Sequence, residues 1–170
     1  RLALSVLYFG GIERDEGAAE GPAWRHLFDG HVQWSPTARV SLMLHANGGF
    51  EMNRLGTAWW AAGALYARFR IARPLYLALR GDYFYESAPT DAAGTRVGAI
   101  FWPVDWVSSQ TATLDARPVE NVSVRLEYRH DHAAGDVYYR GDVMGDGRSV
   151  PFRPNALAQD TVTLGLTAWF

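Results

Sequence analysis

The chain has 170 residues, which favours a single domain, and 48% of them are hydrophobic and 14% aromatic. Its formal net charge of -2 and the lack of any Lys/Arg run argue against nucleic acid as a partner. The absence of Cys excludes disulfides, thiol catalysis and Cys-based zinc sites, and no apolar run approaches the roughly 18 residues of a membrane-spanning helix.

Apolar and polar residues alternate with a period of two along most of the chain, and a helical period is almost absent. This alternation is typical of β-strands whose two faces meet different surroundings. In chain order it predicts eight strands, at about residues 2–9, 25–34, 39–47, 63–71, 75–86, 108–117, 122–131 and 160–170. The seventh strand shows it best, with apolar and polar faces formed by Val122, Val124, Leu126 and Tyr128 against Ser123, Arg125, Glu127 and Arg129.

The connections between these strands alternate between tight turns and long segments. Turns are predicted where proline fixes φ and interrupts the strand ladder, at 35–38, 72–74 and 118–121. Long connections rich in Gly, Asp, Ala and Pro are predicted at 10–24, 48–58, 87–107 and 133–159. In an up-and-down sheet this alternation puts all tight turns at one end, as in bacterial outer-membrane barrels. We therefore predict an all-β fold, a transmembrane antiparallel up-and-down β-barrel with eight strands in this chain.

The direction of the apolar face separates a membrane barrel from a soluble, lipocalin-like barrel, in which apolar residues would point inward. The predicted strands are long enough to cross a bilayer. The charged face contains no Lys, and Arg suits enclosed pairing because its planar guanidinium binds carboxylates through two parallel hydrogen bonds. Aromatic residues also gather near both ends of the strands, as in interfacial belts: Trp34, Trp169 and Phe170 near the tight turns, and Trp59, Trp60, Tyr83, Tyr85 and Tyr128 towards the long loops.

The two faces therefore receive different predicted roles. The side chains predicted to line the lumen are charged or polar: Arg68, Arg70, Arg80, Asp82, Glu86, Asp115, Arg125, Glu127, Arg129 and His45. The side chains predicted to contact lipid are apolar: Leu42, Leu44, Leu65, Phe69, Leu77, Leu79, Val122, Val124, Leu126, Val162, Leu164 and Leu166.

The segments LDARPVENVSVRLEYRHD and QDTVTLGLTAWF resemble the closing strands of the putative β-barrel porin-2, OmpL-like family of Gram-negative bacteria, specifically over about 108–132 and 158–170. The resemblance implies an outer-membrane location, membrane lipids as partners, passive passage of solutes, and recognition of Phe170 by the barrel-assembly machinery. Members of this family are longer, with a signal peptide and further strands before this region. We therefore expect residues 1–170 to be one outer-membrane barrel domain, which either closes alone or forms the C-terminal part of a larger barrel.

The size of the barrel separates the candidate functions. Eight strands enclose a space that side chains fill, whereas general porin channels need about 16 strands. Three functions stay open: a porin-type barrel for passive passage of small solutes or ions; a non-conducting barrel that acts as membrane anchor, loop scaffold or subunit of an outer-membrane assembly; and a soluble binding barrel. None of them is an enzyme, and none requires a cofactor.

Several motifs suggest sites, but each has a simpler explanation. The two histidines of HDH at 130–132 have a spacing that suits a metal, but no third ligand is evident, so we predict no metal site. His130 suits chemistry on lipids, but no motif links it to a Ser or Asp, so we predict no catalytic site. GDVMGDGR at 141–148 lacks the EF-hand spacing and is expected to be a flexible loop. FWPVDW at 101–106 is expected to constrict the lumen, enter the lipid interface, bind a partner or pack over the rim. His31 and His45 are expected to be hydrogen-bonded interior residues.

Overall fold

The computed structural model describes all residues, 1–170, and contains eight β-strands. They are β1 (Leu2–Ile12), β2 (Trp24–Thr37), β3 (Val40–Asn53), β4 (Gly56–Arg70), β5 (Leu75–Ser87), β6 (Trp106–Ala116), β7 (Val122–Ala133) and β8 (Ala158–Ala168). The structure has no helix of the length and apolar character needed to span a membrane. The eight strands predicted from the period-two alternation are therefore confirmed, and most of them extend beyond the predicted ends.

The strands form one antiparallel sheet in chain order, from β1 to β8. β1 pairs only with β2 and β8 only with β7, so the sheet is open along both edges. The accessible surface is 11502 Å², whereas a compact protein of 18.9 kDa has about 8300 Å². Only 13 of the 170 residues are buried, which shows that the sheet is a single layer without the core of a soluble domain.

The connection between β3 and β4 differs from the prediction. The expected long segment at 48–58 is a two-residue turn, Arg54 and Leu55, because the strand ladder continues to the pair Asn53 and Gly56. The Asn53 side chain accepts a hydrogen bond from the backbone N–H of Leu55 (2.9 Å), and Gly56 adopts a φ of 135° that favours glycine. The remaining connections follow the predicted alternation, with long segments at 13–23, 88–105 and 134–157 and tight turns at 38–39, 71–74 and 117–121. The first turn lies later than the predicted 35–38, because Pro36 is accommodated within β2 at an irregularity of the register between Trp34 and Thr37.

One face of the sheet is much more buried than the other. Every buried residue within a strand lies on the polar face: Glu51, Ala58, Trp60, Ala64, Glu86, Ser109, Asp115, Ser123, Asp131 and Ala133. A flat single layer would expose both faces alike, so the sheet curls around its polar face. The ion pair between Arg68 of β4 and Asp115 of β6 (3.7 Å) agrees with this curvature, since it reaches across the intervening β5.

Candidate functional site

The polar face of the sheet, which we call the inner wall, carries charged side chains from several strands. It carries all the side chains predicted to line a lumen, placed by the cross-strand register: His45 on β3, Arg68 and Arg70 on β4, Arg80, Asp82 and Glu86 on β5, Asp115 on β6, and Arg125, Glu127 and Arg129 on β7. The register thus brings residues from five strands onto one surface. That this surface bounds a lumen stays a prediction.

The opposite face, which we call the outer wall, is apolar and exposed. It carries all the side chains predicted to contact lipid: Leu42, Leu44, Leu65, Phe69, Leu77, Leu79, Val122, Val124, Leu126, Val162, Leu164 and Leu166. Leu65, Leu126 and Leu164 are 66%, 52% and 76% exposed. A soluble barrel would bury these residues, whereas this sheet exposes them and buries carboxylates on its other face.

The inner wall holds a network of paired charges around Asp115. Its carboxylate accepts hydrogen bonds from the hydroxyl of Ser123 (2.7 Å) and from Arg117 (3.1 Å), and Arg68 lies 3.7 Å away. Asp115 is 7% exposed, so these donors replace the water that the carboxylate has lost. The network ties β4, β6 and β7 together on one surface.

A second buried carboxylate, Asp131, lies nearer the long-loop end. It accepts hydrogen bonds from Ser109 (2.7 Å), Arg129 (2.7 Å) and Gln159 (2.9 Å). These partners come from β6, β7 and β8, so Asp131 crosslinks three strands. Asp131 is not among the residues predicted to line the lumen, although the period-two alternation places it on the same face as Arg129.

Glu51 is completely buried and anchors the segment 13–23 on the inner wall. Its carboxylate accepts hydrogen bonds from Arg14 (2.9 Å), Arg25 (2.9 Å) and Asn53 (2.9 Å). Arg14 also donates to the carbonyl of Gly98 (3.0 Å), which connects this segment to 88–105. Glu51 was missed because the glycines of GGFEMN predicted a loop, although Phe50 and Met52 alternate with Glu51 and Asn53 as in a strand.

Glu86 holds the segment 88–105 against the inner wall. Its carboxylate is completely buried and accepts hydrogen bonds from the backbone N–H groups of Ile100, Phe101 (3.1 Å) and Trp102 (3.0 Å). The Phe101 ring packs edge-on against Trp60, 5.1 Å between centroids. These contacts place the start of FWPVDW against the inner wall at its long-loop end, and the four expectations for this motif stay predictions.

Trp60 is a correction to the predicted aromatic belt. It lies on the inner wall and is 3% exposed, because it follows Trp59 directly and successive side chains in a strand point to opposite faces. The belt on the outer wall nevertheless exists near the long loops. Its aromatic members are Tyr8, Trp24, Phe28, Phe50, Trp59, Tyr83, Tyr85, Trp106 and Tyr128.

The histidines fall on both walls. His130 and His132 lie on the outer wall, and His130 is 2.9 Å from Asp160, which also accepts a hydrogen bond from the hydroxyl of Tyr128 (2.7 Å). No group of three or more His, Asp or Glu side chains is placed to hold a metal. His45 lies on the inner wall, 2.6 Å from Asp29 and with its ring against His31.

The acidic stretch in GDVMGDGR has a local structural role. Asp146 accepts backbone N–H groups from Arg148 (2.8 Å), Ser149 (2.8 Å) and Val150 (2.9 Å), which hold the pKa of its carboxyl well below the ordinary range. The Asp146 carboxylate thus stabilises a turn within the segment 134–157.

Comparison with known protein families gives a match over the whole chain. The model of the family described as "Putative beta-barrel porin-2, OmpL-like" matches residues 1–170, so the match covers the whole chain and not only the closing strands. No curated protein and no solved structure matches the chain.

Proposed function

Because the chain belongs to the putative β-barrel porin-2, OmpL-like family, we propose that its eight strands form the wall of a porin-type barrel in the bacterial outer membrane. The outer wall contacts lipid, and the inner wall lines an aqueous space through which small solutes or ions pass. The single observation that carries this proposal is the inverted polarity of the sheet, with exposed leucines on one face and buried, paired carboxylates on the other.

Physical chemistry supports insertion over a soluble state. Exposed Leu and Val side chains lose no favourable hydration in lipid, whereas in water each costs about 1.5–3 kcal/mol relative to burial. In hydrocarbon every backbone N–H and C=O needs a partner, so the open edges of β1 and β8 require pairing there. The edges pair either with each other or with further strands, and the second arrangement gives the wider passage.

Two measurements test this function. The protein, refolded in detergent and reconstituted into planar bilayers, is expected to give steady open levels of current, and its unheated form is expected to migrate differently from its boiled form on gels. A water-soluble monomer that needs no detergent would refute membrane insertion, whereas an inserted protein without current would refute solute passage alone.

A non-conducting barrel is the second candidate, and the segment 88–105 favours it. Glu86 and Arg14 both hold this segment over the inner wall, where it narrows the space. Such a barrel would serve as anchor, loop scaffold or subunit of an outer-membrane assembly. Absence of current from the wild-type protein, together with current from a variant lacking residues 90–104, would show that this segment blocks the passage.

We also propose that Phe170 acts as the assembly signal read by the barrel-assembly machinery. Its side chain is fully exposed beyond β8, where nothing in the structure uses it for packing. Phe170→Ala is expected to lower the amount of folded protein in the outer membrane while leaving refolding in detergent unchanged. Equal loss in both settings would point to a purely structural role.

A further inference from the structure

Arginines are distributed unevenly along the inner wall. Towards the long loops, the arginines that contact the buried carboxylates of this wall are paired: Arg14 and Arg25 with Glu51, Arg96 with Glu86 and Asp105, and Arg129 with Asp131. At the tight-turn end the balance is different. Arg1, Arg39 and Arg70 form no ion pair, and Asp115, the carboxylate that pairs with the neighbouring Arg68, is already bound by Arg117 and Ser123.

These surplus arginines line one pocket of about 560 Å³. No acidic residue lines it; the lining includes Arg1, Arg39, Arg68 and Arg70, the hydroxyls of Ser35, Thr37 and Ser41, and the ring of Tyr76. Guanidinium groups and hydroxyls are the donors that bind oxyanions, because they offer several N–H and O–H groups and a positive charge together.

The pocket is also partly organised before any ligand arrives. The Arg68 guanidinium stacks over the Tyr76 ring at 4.2 Å, and Arg117 lies over the same ring at 5.3 Å. The hydroxyls of Ser35 and Ser41 are 3.2 Å apart and fix each other's position. Ordered donors lose less conformational entropy when an anion binds.

From this arrangement we infer that the tight-turn end of the inner wall is a binding site for small soluble oxyanions, phosphate or carboxylate groups, and that it gives the passage a preference for anions. This inference names the solute class of the proposed function and rests on it. The pocket lies on the inner wall, so its occupant comes from the aqueous space and not from the lipid that contacts the outer wall.

The test uses the double variant Arg39→Gln/Arg70→Gln, which breaks no ion pair in the structure and should therefore fold. Inorganic phosphate binding is measured by ³¹P line broadening with the protein in zwitterionic detergent. The double variant is expected to bind phosphate about tenfold more weakly than the wild type, because two charged donors are lost. Arg73→Gln is the matched control: it removes the same kind of charge from the neighbouring turn 71–74, outside the pocket, and should leave phosphate binding nearly unchanged.

A second readout is the reversal potential in a salt gradient across a planar bilayer. The wild type is expected to prefer anions, and the double variant is expected to shift towards cations. Current without anion preference, or equal loss of phosphate binding in the double variant and in Arg73→Gln, would overturn the oxyanion site while the pore proposal stands. Absence of current with phosphate binding that depends on Arg39 and Arg70 would overturn the pore and support the site. Displacement of phosphate by phosphatidylglycerol micelles would overturn the assignment to a soluble anion.

Discussion

The outer and inner walls of the sheet are built from the same strands but depend on different kinds of interaction. The outer wall consists of similar apolar side chains such as Leu65, Leu126 and Leu164, which are largely exposed and make no specific pairings. The inner wall depends on individual pairings, in which buried carboxylates such as Glu51 and Glu86 bind particular donors. The outer wall therefore requires only apolar surroundings, whereas the inner wall requires a specific hydrogen-bond donor for each buried carboxylate.

The largest expected effect comes from a charge placed on the outer wall. Leu126→Arg, near the middle of β7, is expected to lower the free energy of unfolding in lipid by about 2–4 kcal/mol, because the guanidinium would lie in hydrocarbon. The adjacent Arg125→Leu, on the inner wall, is expected to cost less than about 1 kcal/mol, since Arg125 is exposed and makes only one hydrogen bond, to Ser123. Urea unfolding in vesicles followed by Trp fluorescence measures both, and equal losses would contradict the assignment of the walls.

The next effect tests the dependence of the inner wall on particular partners. Glu86→Gln leaves one acceptor oxygen where two are needed for the N–H groups of 100–102, so we expect a loss of about 1–3 kcal/mol and faster proteolysis within 88–105. The same variant should raise the current of a conducting barrel.

The control for this prediction is Glu127→Gln. Glu127 is also on the inner wall but accepts a hydrogen bond from only one side chain, Thr113 (2.7 Å), and its replacement should affect neither proteolysis nor current measurably. If Glu86→Gln behaved like Glu127→Gln, the segment 88–105 would be held by packing and not by the carboxylate.

A smaller effect is expected for a charge placed on the outer wall near the membrane surface instead of at its middle. His132→Arg, in the belt beside Trp106, is expected to cost about 0–1 kcal/mol, because a guanidinium there reaches the headgroup region. The unfolding assay used for Leu126→Arg applies directly. A cost as large as that of Leu126→Arg would place His132 in the hydrocarbon and the membrane boundary further towards the loops.

The smallest expected effect lies outside both walls, in the segment 134–157. The depressed pKa of Asp146 means that its hydrogen bonds stabilise this segment above the unfolded pKa of about 3.9 and are lost progressively as the pH falls below it. The protection factor of the Val150 amide, which donates to Asp146, should therefore fall as the pH drops below about 4, while the strands stay protected. In Asp146→Asn this pH dependence should disappear; its persistence would assign it to another group.

Much of this architecture follows from local sequence pattern. The alternation of apolar and charged residues located all eight strands and assigned the members of both walls, as in Val124 and Arg125, because the two-residue period of a strand is a purely local property. The turn at 54–55 was missed because Gly48 and Gly49 have no side chain to show the alternation. Trp60 was assigned to the wrong wall because proximity to Trp59 outweighed strict alternation.

The sequence by itself thus determined where the strands lie and which face of each strand is apolar and which is charged. Both properties depend only on residues one or two positions apart. Only the tertiary structure decided which charges are neutralised. Glu51 meets Arg14, and Glu86 meets the backbone of 100–102, across loops whose path no local pattern encodes. The surplus of arginine around Arg39 and Arg70 likewise appears only when curvature brings the ends of several strands together, because charge pairing depends on distances in space and not along the chain.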